Sequence, residues 1–219
     1  MATRPYIQQR FHPSLLIGSS IYVRRGLKKV PIHCQQGDFD GACGAYCAAM
    51  SLAILGRIYD PSVLCDRARG VASRLWRVAQ SSFFDGLNVD QLADSLIDVD
   101  PTLDVKTCDF DDELRILAFI KREIEKERLL IVSWHSQRGN THHWILLIGV
   151  EGVSRNETFK PTAFLALDPG TDAPIMTGYN GRLEVSGATG RHATAGNMIY
   201  EAAWQNRVRV ELTSAISLG

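Results

Sequence analysis

Gln36-Gly37-Asp38-Phe39-Asp40-Gly41-Ala42-Cys43-Gly44-Ala45-Tyr46-Cys47 runs straight into Ala48-Ala49-Met50-Ser51-Leu52-Ala53-Ile54-Leu55, and the change of character between the two stretches decides how the chain is read. The first half is turn chemistry, rich in Gly and Asp. The second is built from Ala, Leu and Met, so a helix is expected from Ala42 to Leu55, stopped by Gly56 as its C-cap. Cys43 sits at the junction. A thiol at a helix N-terminus faces the positive end of the helix dipole, which favours the thiolate and makes the sulfur a nucleophile. Gln36, shortly upstream, is a side-chain N–H donor for an oxyanion beside the backbone N–H of Cys43. The plainer reading is a small buried cysteine opening an apolar helix, so the decision rests on the rest of the chain.

The 219 residues suffice for one generous domain with a proper core. Lysines plus arginines equal aspartates plus glutamates, 24 each, which argues against an electrostatic surface for nucleic acid or an anionic membrane. The five cysteines are odd in number and sparse, so a disulfide framework is not expected. Cys34, Cys43 and Cys47 with His33 lack any paired C-x-x-C element, which leaves zinc the weaker reading; no metal and no other cofactor is expected. Residues 1–10 are polar, no apolar run is long enough to span a bilayer, and the sequon Asn156-Glu157-Thr158 reads as a chance match. The expected setting is the cytoplasm, with delivery to another cell left open and no membrane insertion.

Short strands are expected at Ser14–Ile17 and Ile21–Val23, followed by a solvated basic cluster of Arg24, Arg25, Lys28 and Lys29. Asp60-Pro61-Ser62 opens a helix running to Val78, with Gly70 a weak point. Gln80–Gly86 reads as a loop, and Asn88 caps a short helix. A strand at Val105–Cys108 and a helix over Glu113–Glu127 follow. From Leu129 the pattern turns to strands: Leu129–Trp134, His142–Val150 and Phe164–Leu167, the last stopping at Asp168-Pro169-Gly170. Pro174–Asn197 is Gly-rich and irregular, and closing strands fall at Met198–Trp204 and Val208–Leu212. One α+β domain is expected, with helices first and an antiparallel sheet after them.

A nucleophilic cysteine needs a base, and the base needs an orienting group. His143 begins one apolar strand and Asp168 ends the next, so antiparallel pairing brings them together while Cys43 approaches from its helix. His142 is the alternative base, but a shift of one residue turns the side chain to the other face. Asp168 has a plain reading as a turn residue before Pro169. Cys47 reads as core. Trp144 reads as a shield for the His–Asp pair, as core, or as both. Asp38 and Asp40 shape the loop. Gln137, Asn140 and Thr141 are only possible cleft residues.

In this order the motifs resemble the papain-like cysteine peptidases, nearest to the branch that holds the bacteriocin leader peptidases of ABC transporters. The likeness rests on Gln36, Cys43-Gly44, the Ala45–Leu55 helix, His143-Trp144-Ile145-Leu146 and Leu167-Asp168-Pro169, and covers roughly residues 30 to 172. It implies a papain-like fold, with an N-terminal helical part whose nucleophile helix packs on a C-terminal antiparallel sheet. It implies Cys43 as nucleophile, His143 as general base and acid, Asp168 as orienter and Gln36 as oxyanion donor. The sequence departs from the pattern in three places. Six residues separate Gln36 from Cys43, residues 153–162 lengthen the link between the His and Asp strands, and Ala42 stands where an acidic or polar residue is usual. The division expected is one catalytic domain over 1–219, with 1–30 an extension and 31–212 the core. That extension either crosses the cleft as a regulatory segment or adds strands, and a regulatory partner protein stays open.

The function these features imply is a thiol hydrolase cleaving a peptide or isopeptide bond in a protein or peptide substrate. The alternative keeps the triad in a deamidase, transglutaminase-like enzyme or acyltransferase. A non-catalytic binding module ranks lower, because both Cys43 and His143 are present.

Overall fold

The apolar runs become strands of one strongly curved sheet in the computed structural model, which describes residues 4–38, 40–65, 67–110, 112–136, 142–156, 158–185, 198–203 and 207–219. The N-terminal segment forms β1 (Tyr6–Phe11), β2 (Leu15–Ile17), β3 (Ile21–Arg25) and β4 (Lys28–Pro31). Then come α1 (Cys43–Ile54), a 3-10 turn (Pro61–Val63), α2 (Val71–Ser81), α3 (Val89–Val99), β5 (Val105–Asp109) and α4 (Glu113–Ile124). The remainder is β6 (Leu129–Ser136), β7 (His142–Arg155), β8 (Thr158–Leu167), β9 (Gly181–Glu184), β10 (Met198–Ala202) and β11 (Val208–Leu218).

The large sheet runs β1-β7-β6-β11-β10-β9-β8, and β8 pairs back onto β7. Six antiparallel strands, β6 to β11, therefore close into a barrel, with β1 added along β7 and β5 along β11. Strands β2, β3 and β4 form a separate small sheet, so the described part of the extension adds strands.

This overturns the expected α+β, papain-like arrangement of a helical part packed on an antiparallel sheet. Among the described residues there are four helices and eleven strands, and the chain is mostly β. Closure depends on β7, whose 14 residues pair β6 on one side and β8 on the other. Its register slips between Leu147 and Gly149 and again between Glu151 and Gly152, and such irregularities bend a strand and raise its twist. A Cβ on Gly149 would stand 2.5 Å from the Arg10 carbonyl oxygen, so only glycine lets β1 approach at this bend. Residues 153–162, read as a lengthened link, are instead largely the paired β7–β8 hairpin, with Asn156 at its turn in the left-handed region (φ 47°).

Other boundaries also differ. The helix expected from Asp60 to Val78 is broken: Asp60 caps only the 3-10 turn, and Gly70, at φ 62°, is the N-cap of α2 rather than a weak point inside a helix. The irregular stretch 174–197 contains β9, while 186–197 lie outside the described residues, as do the candidate cleft residues 137–141 and Trp204. Asn88 does cap α3, through a capping box with Gln91. Arg25, read as part of a solvated cluster, donates to the carbonyls of Ala53, Ile58 and Tyr59 at the C-terminal end of α1, where cations are favoured.

Side-chain alternation divides the apolar residues of β7 between two cores. Ile145 and Leu147 join Val132, Phe164, Met198 and Val210 in one cluster, together with Ile116 and Ile120 of α4. Trp144, Leu146 and Ile148 join α1 and α3 in the other. Helix α1 is buried nearly all round, as its uniformly apolar surface requires. Gly44 lets it approach so closely: a Cβ there would meet Leu92 at 3.2 Å and Trp144 at 3.3 Å. Among the described residues no helix is long and apolar enough to cross a membrane.

Candidate active site

His143 stands at the beginning of β7, directly opposite Trp134 of β6 in the ladder. Asp168 follows the last residue of β8, the next strand. Antiparallel neighbours thus bring the start of one strand beside the end of the other, at one mouth of the barrel. His143 Nε2 lies 2.6 Å from Asp168 Oδ1. The thiol of Cys43, the first residue of α1, donates to the Gly41 carbonyl at 3.8 Å and lies close enough to the same ring to act on its charge. Asp168 takes Nε2, so Nδ1 is the ring nitrogen that would serve the sulfur. The three residues named from the sequence are therefore contiguous, and the imidazole is the middle member.

The environment sets the charge of the pair. Burial works against a charged imidazole, but the bond to Asp168 and the interactions with Asp168 and the neighbouring Cys43 outweigh it, raising the His143 pKa to about 10. Burial likewise opposes an ionised Asp168. Hydrogen bonds from His143, Tyr200 and the Gly170 N–H more than offset it and hold the carboxyl below its ordinary value. Tyr200 is 2 % exposed, and burial together with the Asp168 charge keeps its phenol protonated, hence a donor.

Asp168 is also held through its backbone. Its N–H donates to Asn180 Oδ1 at 2.7 Å, and its carbonyl accepts from Asn180 Nδ2 at 2.8 Å and from His33 Nε2 at 2.9 Å. Gly170 is required here as well, since a Cβ would stand 3.1 Å from Asp168 Oδ1 and 3.3 Å from the His143 ring. Trp134 packs edge-on to His143, with ring centroids 5.5 Å apart, and touches Tyr200 on its other side. Trp144 points to the opposite face, where its indole N–H donates to the Leu87 carbonyl at 2.9 Å. The ring that covers the histidine is thus Trp134, and Trp144 is core.

Gln36 is anchored at both ends. Its backbone N–H donates to the Pro169 carbonyl at 2.7 Å, and its Nε2 donates to the Asp40 carbonyl, leaving Oε1 buried without a partner. Asp40 organises the loop before the nucleophile by accepting from the N–H groups of Gly37 and Ala42 and from the Tyr46 hydroxyl. Gln35 points elsewhere, onto Asp172. His142, the alternative base, stacks on His135 away from Asp168. Cys47 is fully buried, donates to the Trp144 carbonyl, and burial raises its pKa well above the ordinary value. Burial raises Cys34 to about 12 and pushes Cys108 up too, so neither is a rival nucleophile.

Trp134, Tyr200 and Asn180 were not among the sequence-predicted site residues, and His33 was named only in the weaker zinc reading. Only Trp134 had a signal, its place opposite His143 once the two strands are paired. Among the described residues, no group of three or more His, Cys, Asp or Glu could hold a metal ion. No family model matches the chain, and no curated protein matches its sequence.

Proposed function

We propose that the protein is a thiol hydrolase of the cysteine-peptidase type, cleaving an amide bond in a peptide or protein through an acyl-enzyme on Cys43. The observation that carries this reading is the imidazole bonded to Asp168 through Nε2 beside Cys43, which opens α1. The order of motifs along the chain supports it, independently of the fold they sit on. Five unpaired cysteines fit a reducing compartment such as the cytoplasm.

In the first half-reaction the proton sits on His143, as its raised pKa requires, and the Cys43 sulfur attacks the carbonyl carbon as the thiolate. The oxyanion is met by the Cys43 N–H, which the first turn of α1 leaves without an intrahelical partner, and by the Gln36 Nε2 hydrogen that the Asp40 carbonyl does not use. His143 then gives its proton to the leaving nitrogen, the C–N bond breaks and a thioester remains. In the second half-reaction His143 deprotonates water, hydroxide attacks the thioester, the acid departs, and the sulfur leaves as the thiolate beside protonated His143. Asp168 stays ionised throughout and fixes the ring by its bond to Nε2.

The test is acylation by p-nitrophenyl acetate followed by peptide mass mapping. The expected result is a stoichiometric burst of nitrophenolate with the acetyl group on Cys43, abolished in Cys43→Ser and strongly slowed in His143→Ala. Acetylation spread over the cysteines, or none at Cys43, overturns the reading.

A further inference from the structure

The barrel has a second mouth. Strand β7 leaves the His143 end and reaches Val150 there, β8 enters through Lys160 and Phe164, β6 starts beside Arg128, and β9 ends next to Val185. A cavity of about 450 Å³ opens at this mouth, between β1, the β7–β8 hairpin and the C-terminal end of α4. That volume falls in the ~300–1,000 Å³ range of small-molecule sites, which favour barrel mouths.

The lining is two-natured. Phe11, Ile124, Ile148 and Phe164 supply an apolar wall. Arg10, Lys121 and Lys160 stand around it. Arg128 also lines the cavity but is committed to Asp104 and Glu123. Arg10 lies 4.0 Å over the Phe159 ring. Among the described residues neither Lys121 nor Lys160 has an ion-pair partner, and the only carboxylates lining the cavity are those of Glu125 and Glu127, both exposed. The rim itself is fixed. Glu127 takes a left-handed conformation (φ 57°) that favours glycine, its N–H donates to the Ile124 carbonyl at 3.0 Å, and the His12 N–H donates to the Ile148 carbonyl at 2.8 Å.

We propose that this cavity binds an amphipathic monocarboxylate, its alkyl or aryl body against Phe11, Ile124, Ile148 and Phe164 and its carboxylate between Lys121 and Lys160. An apolar wall with uncommitted ammonium groups at its edge suits a negatively charged head on an apolar tail. A purely apolar ligand would leave the lysines unpaired, and a cationic amphiphile would be repelled by them. The site lies at the barrel end away from Cys43, and the proposal stands whether or not Cys43 is a nucleophile.

The test is titration calorimetry of the whole chain with decanoate, and with decyltrimethylammonium as the same tail bearing the opposite charge, both below their micellar concentrations. Decanoate is expected to bind saturably and one-to-one, and the cation not to bind. Lys121→Ala with Lys160→Ala should weaken decanoate by about tenfold or more, since each lost contact is a charge-assisted one. Ile124→Trp, which fills the cavity and leaves both lysines, should abolish it. Thermal unfolding of each variant verifies that the fold is retained. Absence of saturable decanoate binding, equal binding of the cation, or unchanged affinity in both variants overturns the proposal.

Discussion

The Tyr200 hydroxyl donates to Asp168 Oδ2, which leaves Oδ1 to His143 Nε2 at 2.6 Å and to the Gly170 N–H at 2.7 Å. A carboxylate only 2 % exposed is thereby kept ionised and its two oxygens are given separate tasks.

Removing the phenol hydroxyl tests that division. Tyr200→Phe leaves a buried carboxylate oxygen without its donor, at a cost of about 1–3 kcal/mol. The Asp168 pKa then climbs, and His143 loses its anionic partner at a higher pH. The acid limb of the Cys43 alkylation profile should move to higher pH, with the neutral plateau reduced by less than about tenfold. An unmoved limb would mean that Tyr200 supports only the packing around Asp168.

Gly44→Ala tests how tightly the nucleophile helix must sit. The added methyl meets Leu92 and Trp144 at 3.2 and 3.3 Å, so α1 has to move away from β7, costing about 1–3 kcal/mol. Because Cys43 is the preceding residue, its alkylation should slow by about tenfold or more. Gly56→Ala is the control at the other end of α1. Nothing lies within 4 Å there, but φ is +78°, so about 1 kcal/mol or more of stability should be lost with the Cys43 rate retained.

The ion pair also makes stability depend on pH, in a direction that can be stated. His143 is raised from 6.5 to about 10, so its contribution is complete below 6.5 and is lost as pH rises through about 10. Asp168 is lowered from 3.8, so its contribution is present above 3.8 and is lost as pH falls through its folded value. Urea unfolding should show the largest gap between the native chain and His143→Gln at about pH 4 to 6.5, closing towards about pH 10. A gap constant from neutral pH to pH 10 contradicts the raised histidine.

Much of this site could be read from local sequence. The switch from turn residues to Ala and Leu located α1 with Cys43 at its first position, and apolar runs with clear ends located His143 and Asp168. The barrel was harder. Its closure rests on β9, four residues inside a Gly-rich stretch, and on bends in β7 that single residues do not announce. Tyr200 and Asn180 reach Asp168 from 32 and 12 residues away, through pairings that exist only once the sheet has closed. Trp144 reads as shield or core alike, and Trp134 has no reading beyond its strand, because alternation gives each a face but not which face carries the histidine. Gly70 reads as a flaw inside a helix, whereas its positive φ is what starts a new one.

The most direct measurement is iodoacetamide labelling of the native chain across pH, with peptide mass mapping of all five cysteines. The informative comparison is Cys43, 7 % exposed and beside His143, against Cys65, which is exposed. At about pH 6 an ordinary thiol is almost wholly protonated and labels slowly. The expected result is that Cys43 labels ahead of Cys65 there despite its burial, and that His143→Ala removes this advantage. If Cys43 labels no faster than Cys65, or is indifferent to His143, the thiol and the imidazole do not act as a pair and the hydrolase reading fails.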